Sequence, residues 1–290
     1  MGALRGLAHV VLQWVGTEGG YYTPVRAASA AGLAVLLSAC GGGFSPPPAS
    51  PTPTPTVPIS AACNVLGATV PAATSIANGA ACTTTNSPIV LINLRDTDGT
   101  LAGACSGTVL ARRAVLTAAH CLDGTVGSAR VFTGSGDQIA AASLHPYPGY
   151  RENDPNALDV GVLLFNQDLG TPTIPLLLGR DARVGETAVI AGWGRDQAQS
   201  GSTLRAGSTT ISAVSSTLLQ TEVSGTNSSV CPGDSGGALL VSEAGVWSLA
   251  GVISANSTTA CAFGSNFYAN LRNPQIGAFV LGLVPDARRQ

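Results

Sequence analysis

From about Cys63 to the C-terminus, the chain alternates short apolar runs with turn-forming residues. The runs are bounded by Gly, Asn, Asp and Ser, which is the pattern of half-buried β-strands. A helical pattern occurs only near the end, where residues 274–283 predict one terminal helix with Pro near its start. Many short strands joined by turns predict an all-β barrel or sandwich. The predicted strands are residues 89–94, 107–110, 114–117, 160–165, 187–191, 238–241 and 247–253.

Residues 27–39 form an apolar stretch of mostly small residues, preceded by Arg26. The stretch is too short to span a bilayer and has the form of a signal-peptide hydrophobic region. It ends in Leu-Ser-Ala-Cys40, which resembles the lipobox of bacterial lipoproteins, where the signal is cut before an acylated cysteine. We expect residues 1–39 to be a lipoprotein signal peptide and Cys40 to be lipidated.

An alternative is an ordinary secretory signal that is cut nearby, with Cys40 removed or incidental. The first 24 residues lengthen the signal beyond its usual form, so a start at Val25 is a further hypothesis. Gly41 follows the cysteine, a feature that resembles lipoproteins sent to the outer membrane if the source is Gram-negative. The interpretation predicts an exported protein, lipid-anchored in the cell envelope, with its catalytic domain outside the cytoplasm.

Residues 45–58 read SPPPASPTPTPTVP and have no apolar periodicity. Such a composition predicts an extended, semi-rigid spacer. We therefore expect a lipid-anchored linker over residues 40–62 and one folded domain over residues 63–290.

The charge of the chain is low, with 10% charged residues and a formal net charge of -2. No cluster of basic residues suggests nucleic acid or an anionic membrane surface as a partner. The seven cysteines fit no tight zinc-ligand spacing, and their number indicates an oxidising compartment.

Three short segments carry candidate catalytic chemistry. A serine nucleophile needs a base, a group that orients the base, and donors for the developing oxyanion. Ser235 lies in the glycine-rich run Gly233-Asp-Ser-Gly-Gly, which taken alone could be a turn. His120 follows a predicted strand in Thr-Ala-Ala-His-Cys, and Asp159 stands at the edge of another, where an acid is costly unless it is paired. For His145, in Leu-His-Pro-Tyr, a surface loop is the simpler interpretation.

These segments resemble, in order and approximate spacing, the chymotrypsin/trypsin family of serine peptidases. The matching features are TAAHC, the Asp entering VGVLL, AGWG at residues 191–194 and CPGDSGG, and the resemblance extends from about residue 76 to the C-terminus. It implies two antiparallel six-stranded β-barrels with the active site in the cleft between them. The first barrel is expected over about residues 76–175, the second over 176–272 and the C-terminal helix over 273–284.

The resemblance also implies a role for each candidate residue. His120 would be the general base, Asp159 would orient it, and Ser235 would attack the scissile carbonyl. The N–H groups of Gly233 and Ser235 would form the oxyanion hole, and Ser254 would support the aspartate and line the substrate cleft. No cofactor and no metal is needed, and we expect a monomer that acts on protein or peptide substrates.

The cysteines fit the same family. Cys105 and Cys121 bracket the histidine strand as the family's histidine-loop disulfide does, and Cys231 and Cys261 bracket the nucleophile loop and specificity pocket. Once Cys40 is set aside for the lipid, Cys63 and Cys82 remain for a third bridge. Six cysteines allow fifteen connectivities, so this last pairing is the least constrained.

Members of the family usually mature by a cut before an Ile-Val-Gly-Gly-like sequence, and the new amino group then pairs with the aspartate preceding the nucleophile. The best match is Ile76-Ala-Asn-Gly, which would give Asp234 such a partner. Ser75 precedes the isoleucine, so trypsin-like autoactivation is not expected. Alternatively, Ile76 is an ordinary core residue and no cut is needed.

Specificity follows in part from the pocket positions of the family. The floor position is Ser229, so the carboxylate that attracts Arg and Lys in trypsin is missing. Asn256 and Asn266 stand where broad-pocket members have glycine. We therefore expect small or polar residues before the scissile bond.

Two other functional classes fit the candidate residues less well. A non-catalytic binding protein on a peptidase fold typically lacks the nucleophile or the base, whereas all three positions are filled here. A serine esterase of the Gly-x-Ser-x-Gly type has the order Ser, acid, His, and this chain has the order His, Asp, Ser.

Overall fold

The structure is a computed structural model that describes residues 59–67, 79–84, 87–134, 136, 138–154, 156–195, 203–224, 227–258, 261 and 263–290. The predictions for the signal peptide, for Cys40, for the Pro-rich spacer and for Ile76 lie outside these residues. Within them, no helix is long and apolar enough to cross a membrane. Helix α1 (Ile59–Val65) directly follows the predicted spacer and overlaps the end of the predicted linker. Helix α2 (Pro274–Leu283) has the predicted bounds.

The remaining elements are strands and one turn of 3-10 helix at Ala119–Cys121. The strands are β1 (Ala80–Ala81), β2 (Ile89–Asp96), β3 (Leu101–Ala111), β4 (Ala114–Thr117), β5 (Val126–Phe132), β6 (Ile139–Ala140), β7 (Ser143–Pro146), β8 (Gly161–Leu164), β9 (Thr187–Gly192), β10 (Arg205–Val214), β11 (Leu218–Glu222), β12 (Ala238–Glu243), β13 (Val246–Asn256) and β14 (Ser265–Asn270).

The first sheet is antiparallel, with strand order β6-β5-β2-β3-β4-β8-β7. Its two edge strands, β6 and β7, are separated in the chain only by Ala141 and Ala142. The Ala141 N–H donates to the Ala129 carbonyl of β5 (3.0 Å), and the Ala142 N–H donates to the Leu164 carbonyl of β8 (2.7 Å). The sheet therefore curls until its edges meet, and β6 and β7 act as one broken strand of a six-stranded barrel.

The second sheet has the order β1-β10-β11-β14-β13-β12-β9, and an additional β9–β10 pairing closes six of its strands into a barrel. Strand β1, which the sequence had placed in the first barrel, pairs with β10 instead, through Ala80 with Ala206 and Ala81 with Arg205. The reason is local packing, because Ala80 is buried and neighbouring Cys82 is bonded to Cys63 of α1.

Helix α2 begins where its sequence signals place it. The Asn273 side chain accepts hydrogen bonds from the N–H groups of Gln275 (2.9 Å) and Ile276 (3.3 Å), and Pro274 occupies the first turn. The Phe279 ring packs edge-on against Tyr147 of the first barrel, with ring centroids 5.2 Å apart. The prediction of an all-β double barrel with a C-terminal helix is confirmed.

Candidate active site

Two adjacent strands of the first barrel bring His120 and Asp159 together. Strand β4 ends at Thr117, opposite Gly161 at the start of the antiparallel strand β8. His120 lies in the helical turn that follows β4, and Asp159 lies in the segment that enters β8. Because the end of β4 lies beside the start of β8, the two side chains come within hydrogen-bonding distance of each other.

The Asp159 carboxylate accepts three hydrogen bonds. Its Oδ1 accepts from the backbone N–H of His120 (3.0 Å), and its Oδ2 accepts from His120 Nδ1 (2.8 Å). The Ser254 hydroxyl of β13 donates to Oδ2 as well (2.5 Å). Asp159 is only 4% exposed, and a buried acid is costly unless it is paired. These three donors supply the hydrogen-bond partners that it needs.

The two groups shift each other's titration. Burial of the imidazole lowers the pKa of His120, but the charge and hydrogen bond of Asp159 outweigh this and hold that pKa above its ordinary value. For Asp159, burial raises the pKa of the carboxyl, and the bonds from His120 and Ser254 outweigh that effect and hold it below its ordinary value. The pair therefore favours a carboxylate beside a readily protonated imidazole.

Ser235 lies between β11 and β12 of the second barrel and is held against the first. Its carbonyl accepts from the Ser106 N–H of β3 (2.7 Å) and lies 3.9 Å from the sulfur of Cys121, the neighbour of His120. In the described part of the chain, the Ser235 hydroxyl makes no hydrogen bond to the His120 ring. Such bonds are often long before substrate binds.

Glycine is required on both sides of Ser235. Gly233 has φ +96° and Gly236 has φ +81°, a region that side-chain-bearing residues rarely adopt. A Cβ at Gly236 would overlap Thr117 Oγ1, and a Cβ at Gly233 would lie 3.0 Å from the Cα of Gly194. The nucleophile loop is thus packed tightly against both barrels.

Two backbone N–H groups of the loop that carries Ser235 are available as hydrogen-bond donors. Among the described residues, the N–H groups of Gly233 and Ser235 donate to no protein acceptor. The carbonyl of Pro232 accepts from the Arg195 N–H (2.9 Å). Because the carbonyl and N–H of a trans peptide point in opposite directions, this bond turns the Gly233 N–H away from Arg195.

Asp234 is buried beneath the same loop. Its carboxylate accepts from the N–H groups of Gly194 and Cys231, each at 2.8 Å. Burial raises the pKa of Asp234 to about 6, while these amides and the charge of Arg205 oppose the increase. The carboxylate also fills the space where a side chain at Gly192 would stand, which explains the glycines of the AGWG segment.

The three predicted pocket residues form one hydrogen-bonded cluster. Ser229 and Asn266 are buried, and the Ser229 hydroxyl donates to Asn266 Oδ1 (3.0 Å). Asn256 Nδ2 donates to the same oxygen (2.8 Å), and Asn266 Nδ2 donates onward to Thr221 Oγ1 (3.1 Å). The side chains at these positions therefore contact one another.

The structure joins three cysteine pairs. Their Cα–Cα distances are 5.4 Å for Cys63–Cys82, 6.3 Å for Cys105–Cys121 and 5.1 Å for Cys231–Cys261. Cys105, Cys121 and His120 place ligand-type atoms within 4.8 Å of one another, but the disulfide leaves no thiolate there to bind a metal. Disulfides of this kind are typical of proteins outside the cytoplasm.

Several contributors to the site escaped the sequence interpretation. Ser106 contacts the nucleophile loop from β3, Arg195 contacts it from the segment after β9, and Trp193 donates to the Ser106 hydroxyl. The signals available were a serine directly after a cysteine in a mostly apolar strand, and the glycine-containing AGWG segment. Neither signal identifies its partner, because the partners are more than 30 residues away in the chain.

A paired His and Asp on one barrel and a glycine-flanked Ser on a second define a double-barrel serine peptidase. A sequence profile of the trypsin family matches residues 76–274, and the chain belongs to this family of chymotrypsin-like serine endopeptidases. Among solved structures, HL collagenase matches with a TM-score of 0.59 and 17% identity, over 70% of this chain and 95% of that one. At this identity the likeness concerns the fold alone. No curated protein matches the chain by sequence.

Proposed function

We propose that this chain hydrolyses peptide bonds through an acyl-enzyme on Ser235, with His120 as general base and Asp159 as the orienting carboxylate. The observation that carries the proposal is the double hydrogen bond between Asp159 and His120, at 2.8 and 3.0 Å. It selects the tautomer in which Nδ1 carries the proton, which leaves Nε2 free to accept one.

In the proposed reaction, Ser235 Oγ attacks the scissile carbonyl carbon and passes its proton to His120 Nε2. The oxyanion that forms accepts hydrogen bonds from the N–H groups of Gly233 and Ser235. His120 then protonates the departing amine, and the carbon–nitrogen bond breaks. Water, deprotonated by the same imidazole, releases the acid and restores the serine.

The test is labelling of the mature protein, after the proposed cut before Ile76, with a fluorophosphonate probe. We expect wild type to be labelled at Ser235, and Ser235→Ala to be unlabelled and to lose roughly six powers of ten in kcat on a peptide substrate. Ser248→Ala is a matched control, since Ser248 is also buried in the second barrel and its hydroxyl has no partner among the described residues. Equal activity of the wild type and Ser235→Ala would refute the proposal.

The proposed specificity is for small or polar residues before the scissile bond. The floor residue Ser229 carries no charge to attract Arg or Lys, and the side chains of Asn256 and Asn266 take up room that a large side chain would need. A peptide library should give a profile led by Ala, Ser or similarly small residues. A profile led by Arg and Lys, or by Phe and Tyr, would contradict this.

The proposed activation is a cut between Ser75 and Ile76. Asp234 supports it, because burial holds the pKa of that carboxyl well above its ordinary value and a new amine would supply a matching charge. Recovery of fully active protein with the Ser75–Ile76 bond intact would overturn it.

The proposed location is the cell envelope, with the domain from residue 63 onward held by an acylated Cys40 and a Pro-rich spacer. All of the proposed catalytic residues come from one chain, which fits a monomer. Mass spectrometry of the mature protein reads acylation at Cys40 and the new N-terminus at Ile76 in one measurement. A mature N-terminus downstream of Cys40 without any cut at Ile76 would refute lipid anchoring.

A further inference from the structure

Ser106 connects the first barrel to the loop that carries the proposed oxyanion donors. It lies on β3 and is fully buried. Its hydroxyl donates to the Gly233 carbonyl (2.9 Å) and accepts from the Trp193 N–H (2.8 Å). Its backbone N–H donates to the Ser235 carbonyl (2.7 Å). One small side chain therefore contacts both the oxyanion loop and the segment that supports it.

The segment after β9 supports the loop with three consecutive N–H groups. Trp193 donates to Ser106 Oγ (2.8 Å), Gly194 donates to Asp234 Oδ1 (2.8 Å) and Arg195 donates to the Pro232 carbonyl (2.9 Å). The Trp193 indole is itself anchored, since its Nε1 donates to the Ile89 carbonyl of the first barrel (3.0 Å). The loop thus depends on a fixed segment, and Ser106 is where that segment meets β3.

The direction of the Gly233 N–H depends on two peptide planes that meet at Gly233. The plane before it is held by the bond from Arg195 to the Pro232 carbonyl. The plane after it is held by the bond from Ser106 to the Gly233 carbonyl and by the bond from the Asp234 N–H to the Cys231 carbonyl (3.0 Å). Glycine offers little resistance of its own to rotation about φ and ψ. Without the Ser106 hydroxyl, the Gly233 carbonyl loses its hydrogen-bond donor, and of these bonds only the one from the Asp234 N–H still holds the plane after Gly233.

We infer that Ser106 is a positioning residue that orients the Gly233 N–H toward the oxyanion through its hydroxyl. This inference rests on the proposed function, in which Gly233 supplies one of the two oxyanion donors. The bond to a developing oxyanion forms only in the transition state, so loss of its alignment lowers kcat and leaves substrate affinity unchanged.

The test compares Ser106→Ala and Ser106→Cys with wild type in the full-length protein. Removing one oxyanion donor outright costs about 100- to 1,000-fold in kcat, so we expect misalignment in Ser106→Ala to cost roughly 10- to 100-fold. KM should stay within about twofold of wild type. A peptidyl trifluoromethyl ketone forms an adduct that carries an oxyanion, so its binding should weaken by the same factor by which kcat/KM falls. The affinity for a product peptide, which is not cleaved further, should stay unchanged.

Thr108→Val is the matched control. Thr108 lies two positions along the same strand, is equally buried, and its hydroxyl has no partner among the described residues. This variant should keep kcat within about twofold. Ser106→Cys keeps the shape of the site but replaces a strong donor by a weak one, so its kcat should fall between those of wild type and Ser106→Ala. It decides the matter if Ser106→Ala does not fold.

Two failures can be told apart. If fluorophosphonate does not label Ser235 in wild type that has been cut before Ile76, the proposed function is wrong. If wild type is labelled and turns over while a folded Ser106→Ala or Ser106→Cys keeps full kcat, the inference about Ser106 alone is overturned. A rise in KM at unchanged kcat would overturn it as well, because it would place Ser106 in substrate binding.

Discussion

Asp159 holds His120 at two points, the ring and the backbone. One carboxylate oxygen accepts from Nδ1 at 2.8 Å and the other accepts from the His120 backbone N–H at 3.0 Å. The first bond sets the tautomer and tilt of the ring, and the second fixes the chain that carries it. A single side chain thus determines both where the imidazole lies and which nitrogen can accept a proton.

Replacing Asp159 by Asn should inactivate the enzyme without unfolding it. The amide keeps the shape but presents an N–H₂ group, which favours the tautomer with the proton on Nε2, and that nitrogen can then no longer accept from Ser235. We expect kcat to fall about 10,000-fold with little change in KM. Asp168→Asn is the control, since that exposed carboxylate pairs with Arg112. A loss below about 100-fold would show that Asp159 does not orient the base.

The acid limb of the pH–rate profile should lie above the ordinary imidazole pKa of 6.5. The carboxylate of Asp159 raises the pKa of His120, so the protonated, inactive form persists to higher pH than it would for an isolated histidine. The measurement is kcat/KM from about pH 5 to 9, on a substrate without titrating groups. In Asp159→Asn the limb should move to lower pH, and an unchanged limb would contradict the assignment.

The strands and the helix that contain runs of apolar residues could be predicted from the sequence. Strands β2, β9 and β12 contain the predicted runs, and α2 was found from Pro274 and its apolar spacing. Strand β10, with the sequence RAGSTTISAV, was missed because its inward positions are small or hydroxyl-bearing. Its first five residues are nonetheless buried, since they lie between other strands of a closed barrel. Closure is a property of the whole sheet that a local pattern does not express.

The residues of the candidate site also fall into those that the sequence predicts and those that it does not. His120, Asp159 and Ser235 stand in segments whose local composition marks them; the structure pairs His120 with Asp159 and places the Ser235 carbonyl 3.9 Å from the sulfur of Cys121, the neighbour of His120. The local signals at Ser106 and beside Arg195 do not reveal their roles, because these come from contacts with residues far away in the chain. The raised pKa of Asp234 also cannot be predicted from the neighbouring sequence. The carboxyl is buried by the AGWG segment, which lies far away in the chain.

Asp234 should make stability depend on pH in the uncut protein. Its pKa rises from 3.8 to about 6 on folding, so between these values the native state binds more protons than the unfolded state, and stability falls as pH rises. The full effect is about 3 kcal/mol. The variant Asp234→Asn has no carboxyl to titrate at this position. Any change in the free energy of unfolding that the substitution itself causes is therefore the same at both pH values. Urea unfolding in an inactive Ser235→Ala background, at about pH 4 and about pH 7.5, should show wild type losing about 2.4 kcal/mol relative to the variant, because the unfolded carboxyl is already more than half ionised at pH 4. If the difference in free energy of unfolding between wild type and variant did not depend on pH, the raised pKa of Asp234 would be contradicted.

The pocket asparagines should block trypsin-like specificity even when a charge is supplied. In Ser229→Asp alone, the side chains of Asn256 and Asn266 still contact position 229 and should restrict access to the new carboxylate, so Arg substrates should remain poor. Adding Asn256→Gly and Asn266→Gly opens the path, and kcat/KM for an Arg substrate should rise at least about 100-fold over the single variant. The comparison uses peptides that differ only before the scissile bond. Efficient Arg cleavage by Ser229→Asp alone would show that the asparagines do not occlude the pocket.

The Cys63–Cys82 disulfide should keep the catalytic domain tethered after activation. The two cysteines are 19 positions apart, and the proposed cut before Ile76 falls between them. Once that bond is cut, the N-terminal piece with its proposed lipid remains attached to the domain only through the disulfide and packing. In washed membranes carrying cut enzyme, we expect the domain to stay with the pellet and to enter the supernatant on mild reduction. The double variant Cys63→Ala/Cys82→Ala should release the cut domain without reductant. Retention of that variant after a verified cut would show that packing of α1 against β1 and β10 holds the domain, whereas release of wild type without reduction would show that the disulfide does not span the cut.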